Sequence, residues 1–147
     1  MFFFRKRPQQ LLIWCDGGIG DRQEGTGLGV VIRDPQGEIV GLVKKSLPPM
    51  TNNEAEYAAL VLALESVKRF KPRTLHVYMD SQNVVGQMRG RYLVRSTKLK
   101  QWHAQASRLV RRFEAVTFEY IPREHNRLAD ALANEALTEY RNGKRKH

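Results

Sequence analysis

Apolar and polar positions follow two rhythms along the chain. LLIWC, Leu11 to Cys15, is an unbroken apolar run of the kind that forms a buried strand. GLGVVIRD and EIVGLVKKS come next, separated by PQG, and read as strand, turn, strand. From about Asn52 to Phe70 the apolar residues recur at helical spacing, and they stop before KPR. LHVYM, Leu75 to Met79, is another apolar strand, and SQNVVGQM predicts a short helix. After RGRYLVRS a helix is predicted from Thr97 to about Glu114. VTFEYI, Val116 to Ile121, alternates as a strand does, and Asn126 opens a last helix through NRLADALANEAL. The predicted order is β-β-β-α-β-α-α-β-α. Three strands in hairpin order ahead of helix-linked strands give an α/β fold with a mixed sheet and helices packed on it.

Composition narrows the class. The 147 residues suit one domain with a real core, expected over residues 11–140. MFFFRKRPQQ, residues 1–10, reads as a basic leader, and residues 141–147, RNGKRKH, read as a basic tail. The formal charge of +10 implies a polyanionic partner, nucleic acid before membrane surface. Cys15 is the single cysteine, so no internal disulfide forms and it reads as a small buried hydrophobe. No stretch is long enough to span a membrane, and the leader lacks the apolar core of a signal peptide. A cytoplasmic monomer is the expectation.

TNNEAEYAALVLAL, from Thr51, holds two acids at the front of an apolar helix. Thr51 and Glu54 fit a capping box, in which the hydroxyl and the carboxylate each satisfy a backbone N–H of the other's residue. Glu56 has no such explanation. Residues two apart point about 200° away from each other around a helix. Glu56 shares a face with Leu60, Leu64 and Val67, the apolar stripe, while Glu54 shares one with Glu65 and Lys68. A carboxylate on an apolar stripe is costly unless it is paired with, or bound to, a cation.

Three further acids stand in matched places. Asp16 follows LLIWC and Asp80 follows LHVYM, both at the carboxyl end of an apolar strand, where ligand sites gather in helix-linked sheets. Each also reads as a strand-ending turn, and Asp80 as a helix cap. Asp130 interrupts RLADALANEAL among small apolar residues, near a helix start where the dipole tolerates an anion. If the four converge, each pair about 4 Å apart repels by about 4 kcal/mol at an effective dielectric near 20. Such a cluster takes up protons or a cation. All-oxygen ligation favours Mg²⁺ or Mn²⁺ over Zn²⁺, and two such ions suit phosphoryl transfer.

CDGG with Asp16, TNNEAEYAAL with Glu56, YMDSQNVVGQM with Asp80 and HNRLADALANEA with Asp130 together resemble type 1 ribonuclease H, over about Leu11 to Leu137. The resemblance implies the ribonuclease H-like fold, a five-stranded mixed sheet flanked by helices. It implies endonucleolytic hydrolysis of the RNA strand of RNA/DNA hybrids, with 3′-hydroxyl and 5′-phosphate products. Asp16, Glu56, Asp80 and Asp130 would then be the catalytic ligands of two Mg²⁺ ions, with Mn²⁺ as the other candidate. Asn52 and Gln82 would read bases and 2′-hydroxyls in the minor groove, and Thr51 would hold a DNA-strand phosphate.

Two departures from the family pattern stand out. The long basic protrusion is replaced by RGRYLVRSTKLKQW, in which Arg89, Arg91, Arg95 and Lys98 are candidate substrate contacts. This shorter form looks like the archaeal-like branch. A family histidine ahead of the last Asp has no match in position, and His125, nearer to Asp130, is the candidate substitute in acid–base chemistry. The glycines of DGGIGDRQEGTGLG lead into a strand and lack GxGxxG spacing, so they read as a flexible hairpin, not a dinucleotide loop. The alternative function is a non-catalytic module of the same fold that binds RNA/DNA hybrid or double-stranded RNA. A pure binder has no use for four acids beside phosphates.

Overall fold

The computed structural model describes residues 8–21 and 24–145. Most of the leader, residues 1–7, and the last two residues of the tail lie outside it. Five strands, β1 (Gln10–Ile19), β2 (Thr26–Arg33), β3 (Ile39–Leu47), β4 (Thr74–Met79) and β5 (Ala115–Tyr120), form one sheet in the order β3-β2-β1-β4-β5. The hairpin partners β1, β2 and β3 are antiparallel, while β4 runs parallel to both β1 and β5. The mixed sheet is the one expected from the hydrophobic rhythm. Among the described residues, four α-helices complete the fold: α1 (Asn52–Ser66), α2 (Gln82–Met88), α3 (Thr97–Val110) and α4 (Arg127–Arg145).

Local chemistry sets most of the boundaries. Asp34 accepts the backbone N–H groups of Gln36 and Glu38 (3.0 and 2.9 Å), and Gly37 takes a φ of 88°, which closes the β2–β3 turn. The Thr51, Ser81 and Ser96 hydroxyls cap α1, α2 and α3, each accepting from the backbone three residues on. Of the expected capping box only the Thr51 arm forms, with Glu54 N–H to Thr51 Oγ1 at 3.2 Å. α1 stops at Ser66, short of Phe70, because the chain tightens into a 3-10 turn over Lys68–Phe70. α3 likewise stops at Val110. α4 continues to Arg145, so most of the expected basic tail is helical.

The core lies between one sheet face and α1. Leu11, Ile13 and Cys15 of β1 and Leu75, Val77 and Met79 of β4 meet Tyr57, Leu60, Leu64 and Val67, all fully buried. α3 packs on the other side of α1. That second contact is why Ala58 and Val61, on the flank that reads as polar, are also buried. α4 packs on the opposite sheet face, against β1, β2 and β3.

Candidate active site

The parallel ladder between β1 and β4 pairs Trp14 with Tyr78. Two residues farther along the same register, Asp16 and Asp80 stand side by side at the carboxyl end of that ladder. Asp16 does not end its strand, as the apolar run alone implies. β1 continues through the glycines to Ile19, held by its antiparallel partner β2, with Asp16 opposite Gly29. Asp80 does follow its strand directly. It is not the cap of α2, because Ser81 Oγ takes the Val84 N–H (3.3 Å).

Glycines bring the helical acids in. A Cβ on Gly17 would lie 2.0 Å from the Ala55 carbonyl oxygen, so α1 can sit against β1 at this point only because that atom is absent. A Cβ on Gly29, across the ladder from Asp16, would lie 2.1 Å from the Ala129 carbonyl oxygen of α4. The residues after those carbonyls are Glu56 and Asp130. The segment DGGIGDRQEGTGLG thus departs from the flexible hairpin expected of it: Gly17, Gly18, Gly27 and Gly29 are strand residues, and all but Gly18 lie under a close helix. Sequence reading missed this role because a missing Cβ leaves no hydrophobic pattern.

One carboxylate oxygen each from Asp16, Glu56 and Asp80 lie within 4.8 Å of one another. Asp130 lies outside that tight trio but acts on Asp16 and Asp80. Burial and then the Glu56 and Asp80 charges push Asp16 up from 3.8 to about 9. Burial and then the Asp80 charge push Glu56 from 4.5 to about 8, against a lowering from the Gly17 N–H. Burial also raises Asp80, with the Arg123 charge opposing it. Glu56 Oε2 is buried without a hydrogen-bond partner. A hard divalent cation fits this set: three clustered oxygens, an unpaired anionic acceptor, and acids that hold protons far above their usual range. Cys15 faces the core behind them, fully buried, where burial and then the neighbouring acids push its thiol well up.

The other candidates distribute unevenly. Thr51, Asn52 and Gln82 are exposed at the starts of α1 and α2, the same end of the sheet as the acids. Arg91, Arg95 and Lys98 are exposed on the loop and first turn leading through α3. That loop is anchored where the Arg91 and Tyr92 N–H groups donate to the Gly86 carbonyl (2.8 and 3.1 Å). Arg89 caps the end of α2 and lines a groove at the outer edge of the sheet with Thr117 and Phe118 of β5. His125 is exposed in a 3-10 turn, Arg123–His125, before α4. Arg123 is the cation the acids feel: its Nη2 lies 3.8 Å from Asp130 Oδ1, and its charge works against the raising of Glu56 and Asp80. Sequence reading passed over Arg123. The available signal was a cation in the tight IPREHNRLAD loop just ahead of Asp130.

Comparison with known proteins agrees with this geometry. A family profile described as "Reverse transcriptase-like" matches residues 14–136. The RNase H1 of the halophilic archaeon Halobacterium salinarum superposes with a TM-score of 0.85 at 32% identity, covering 88% of this chain and 98% of that one. The chain belongs to the type 1 ribonuclease H family. A second ribonuclease H of known structure, LC11-RNase H1, solved in complex with an RNA/DNA hybrid, gives a TM-score of 0.83 at 35% identity, over 88% of this chain and 97% of that one. Among curated relatives, the "Bifunctional protein Rv2228c" of Mycobacterium tuberculosis is 33% identical over 129 residues, 87% of this chain. The chain spans 35% of that relative's length, so it corresponds to one part of a longer protein there.

Proposed function

We propose that this ribonuclease H family member is a metal-dependent endoribonuclease. It hydrolyses the RNA strand of RNA/DNA hybrids and leaves a 3′-hydroxyl and a 5′-phosphate. The observation that carries the reading is the trio of oxygens from Asp16, Glu56 and Asp80 within 4.8 Å, drawn from within β1, the end of β4 and helix α1, beside an unpaired Glu56 Oε2. Surface acids that only aid solubility do not gather under burial, because the repulsion and desolvation are unrelieved.

Asp16, Glu56, Asp80 and Asp130 would hold two Mg²⁺ ions, or Mn²⁺ in their place. Bound there, the ions would activate an attacking water and neutralise charge on the leaving oxygen. The chain's residues do the positioning. Asp130, half-buried at the open side of the trio, and Arg123 beside it border the path of the scissile phosphate. Asn52 and Gln82, exposed at two helix starts, face a wide minor groove, where only the 2′-hydroxyl tells RNA from DNA. Thr51 spends its acceptor on the cap and keeps its O–H for a DNA phosphate. Arg91, Arg95 and Lys98 extend the phosphate contacts. One chain supplies all four acids, so a monomer suffices.

The test is cleavage of an end-labelled RNA/DNA hybrid with Mg²⁺ and separately with Mn²⁺, with Asp80→Asn as control. Metal-dependent cutting of the RNA strand, lost in Asp80→Asn, is the expected result. Salt-sensitive hybrid binding with no cutting under either metal would replace the enzyme by the binding module.

A further inference from the structure

Between α2 and α3 the chain runs through residues 89–96 without helix or strand, and it carries Arg91 and Arg95 exposed. Hydrophobic burial does not hold the middle of this loop, because Leu93 is 80% exposed. Its start is held at Gly86. The Tyr92 ring covers that glycine so closely that a Cβ there would lie 2.3 Å from it. Its end is held by the Ser96 cap of α3. Its middle is held by one side chain. Gln87, in the last turn of α2, donates from Nε2 to the Leu93 carbonyl at a long 3.5 Å.

Gln87 joins that loop to two helices. The Tyr57 hydroxyl donates to Gln87 Oε1 (2.5 Å). Tyr57 is fully buried on α1 and directly follows Glu56. His103 Nε2 of α3 donates to the Gln87 backbone carbonyl (3.3 Å), which also takes the Gly90 N–H (3.1 Å). The Tyr57 and His103 rings meet edge to face, with centres 6.5 Å apart. A carbonyl only accepts, so the Gln87 NH₂ must face Leu93 and Oε1 must face Tyr57. Any acceptor would satisfy the Tyr57 hydroxyl. An amide does more, because its other end donates and passes the contact on to the loop.

We propose that Gln87 is a positioning residue for hybrid binding: it ties the loop of Arg91 and Arg95 to Tyr57, beside Glu56, and so sets where the phosphate contacts stand relative to the acids. The substrate rests on the hybrid-cleaving reading, but the tether does not. Arginines on a free loop have to be ordered at every binding event, which weakens affinity. On a tethered loop that ordering is complete before the hybrid arrives. Glu56 keeps its own support where α1 meets Gly17, so loss of the tether falls on binding and not on the chemical step.

The test compares Gln87→Met with Tyr57→Phe in the full chain. Met keeps the length and helix propensity of Gln and removes both amide bonds. Phe keeps the Tyr57 ring and removes only its hydroxyl. Hydrogen exchange is followed at the Arg91 and Tyr92 amides, the two bonded to Gly86, and steady-state cleavage of hybrid is measured on the same samples. In Gln87→Met, exchange at those amides and KM should each rise about fivefold, the size of one net hydrogen bond, with kcat within about twofold of the wild type. Tyr57→Phe should move exchange and KM in the same direction. The loss of hybrid affinity caused by Arg95→Ala should shrink in the Gln87→Met background, because an untethered loop no longer presents that guanidinium. Unchanged KM in both variants overturns the proposal, as does a fall in kcat at constant KM. Strictly additive losses from Gln87→Met and Arg95→Ala overturn it too. If Gln87→Met does not fold, Tyr57→Phe decides by the same criteria. A wild type that neither binds nor cuts hybrid overturns the hybrid reading and the binding role with it, and exchange at Arg91 and Tyr92 then decides the tether by itself.

Discussion

Glu54 and Glu56 are two residues apart on one helix and differ in what removing their charge costs. Glu56 points into the acid cluster with an unpaired buried oxygen, while Glu54 lies on the flank of the Thr51 cap. Glu56→Gln is expected to abolish cleavage, because it removes a cation ligand without changing shape. Glu54→Gln is expected to keep activity, because the Thr51 hydroxyl alone already takes the Glu54 N–H. Its cost lies in stability, less than the roughly 0.5–2 kcal/mol of a lost cap. Parallel turnover and denaturant curves check the pair, and equal loss of turnover from a folded Glu54→Gln would remove the distinction. The same logic separates Arg123 from His125. Arg123 lies 3.8 Å from Asp130 and its charge reaches Glu56 and Asp80, so Arg123→Ala should lower turnover more than His125→Ala. Single-turnover rates at saturating hybrid decide this. A larger loss in His125→Ala would return the acid–base role to the histidine.

The elements owe their placement to atoms that are missing. Gly17 and Gly29 let α1 and α4 touch opposite faces of the sheet beside Asp16, with Cβ clearances of 2.0 and 2.1 Å to backbone oxygens. Backbone cannot swing aside as a side-chain end can. Gly29→Ala is therefore expected to cost about 1–3 kcal/mol, as overpacking does, and to lower turnover by displacing Asp130. Gly18, next in sequence to Gly17, has nothing within 4 Å of a Cβ, so Gly18→Ala is the matched control and should leave both unchanged. Thermal melts and hybrid cleavage of the two variants, side by side, test the assignment. This also explains what the sequence could and could not tell. Strands announce themselves by apolar runs, so the sheet was readable, and acids after such runs or on an apolar helix stripe pointed to Asp16, Asp80 and Glu56, the three whose oxygens gather. Asp16 looked like a strand end because the glycines after it carry no pattern. The polar flank of α1 is buried because α3 covers it, a contact outside the helix's own periodicity. Arg123 lies in a turn, where no period exists to mark a position as inward or outward.

At the scale of the whole molecule, charge works in two opposite ways. The acid cluster destabilises the fold when ionised. Folded Asp16 and Glu56 hold protons up to about 9 and about 8, against ordinary values of 3.8 and 4.5. Between those limits the metal-free folded chain binds more protons than the unfolded one, so stability falls as pH rises from about 4 to about 9. Melting temperature in EDTA should drop across that window. Mg²⁺ should raise it most at the alkaline end, where protons no longer screen the acids, and Asp16→Asn should flatten the slope. A metal-free melting temperature that climbs with pH would refute the clustered acids. The basic surface acts outward. With a net charge of +10 and Arg91, Arg95 and Lys98 exposed on one loop-and-helix start, hybrid binding should release counterions. Three phosphate contacts give a log–log salt slope of about −2.7, a loss of about fortyfold in affinity from about 50 to 200 mM salt. Asp80→Asn, which does not cut, allows that slope to be measured on intact hybrid. Arg91→Ala should weaken binding evenly across sequences and reduce the slope by about one unit. An unchanged slope would mean that the shortened loop never meets the backbone, and that the phosphate grip lies with Thr51 and the helix starts instead.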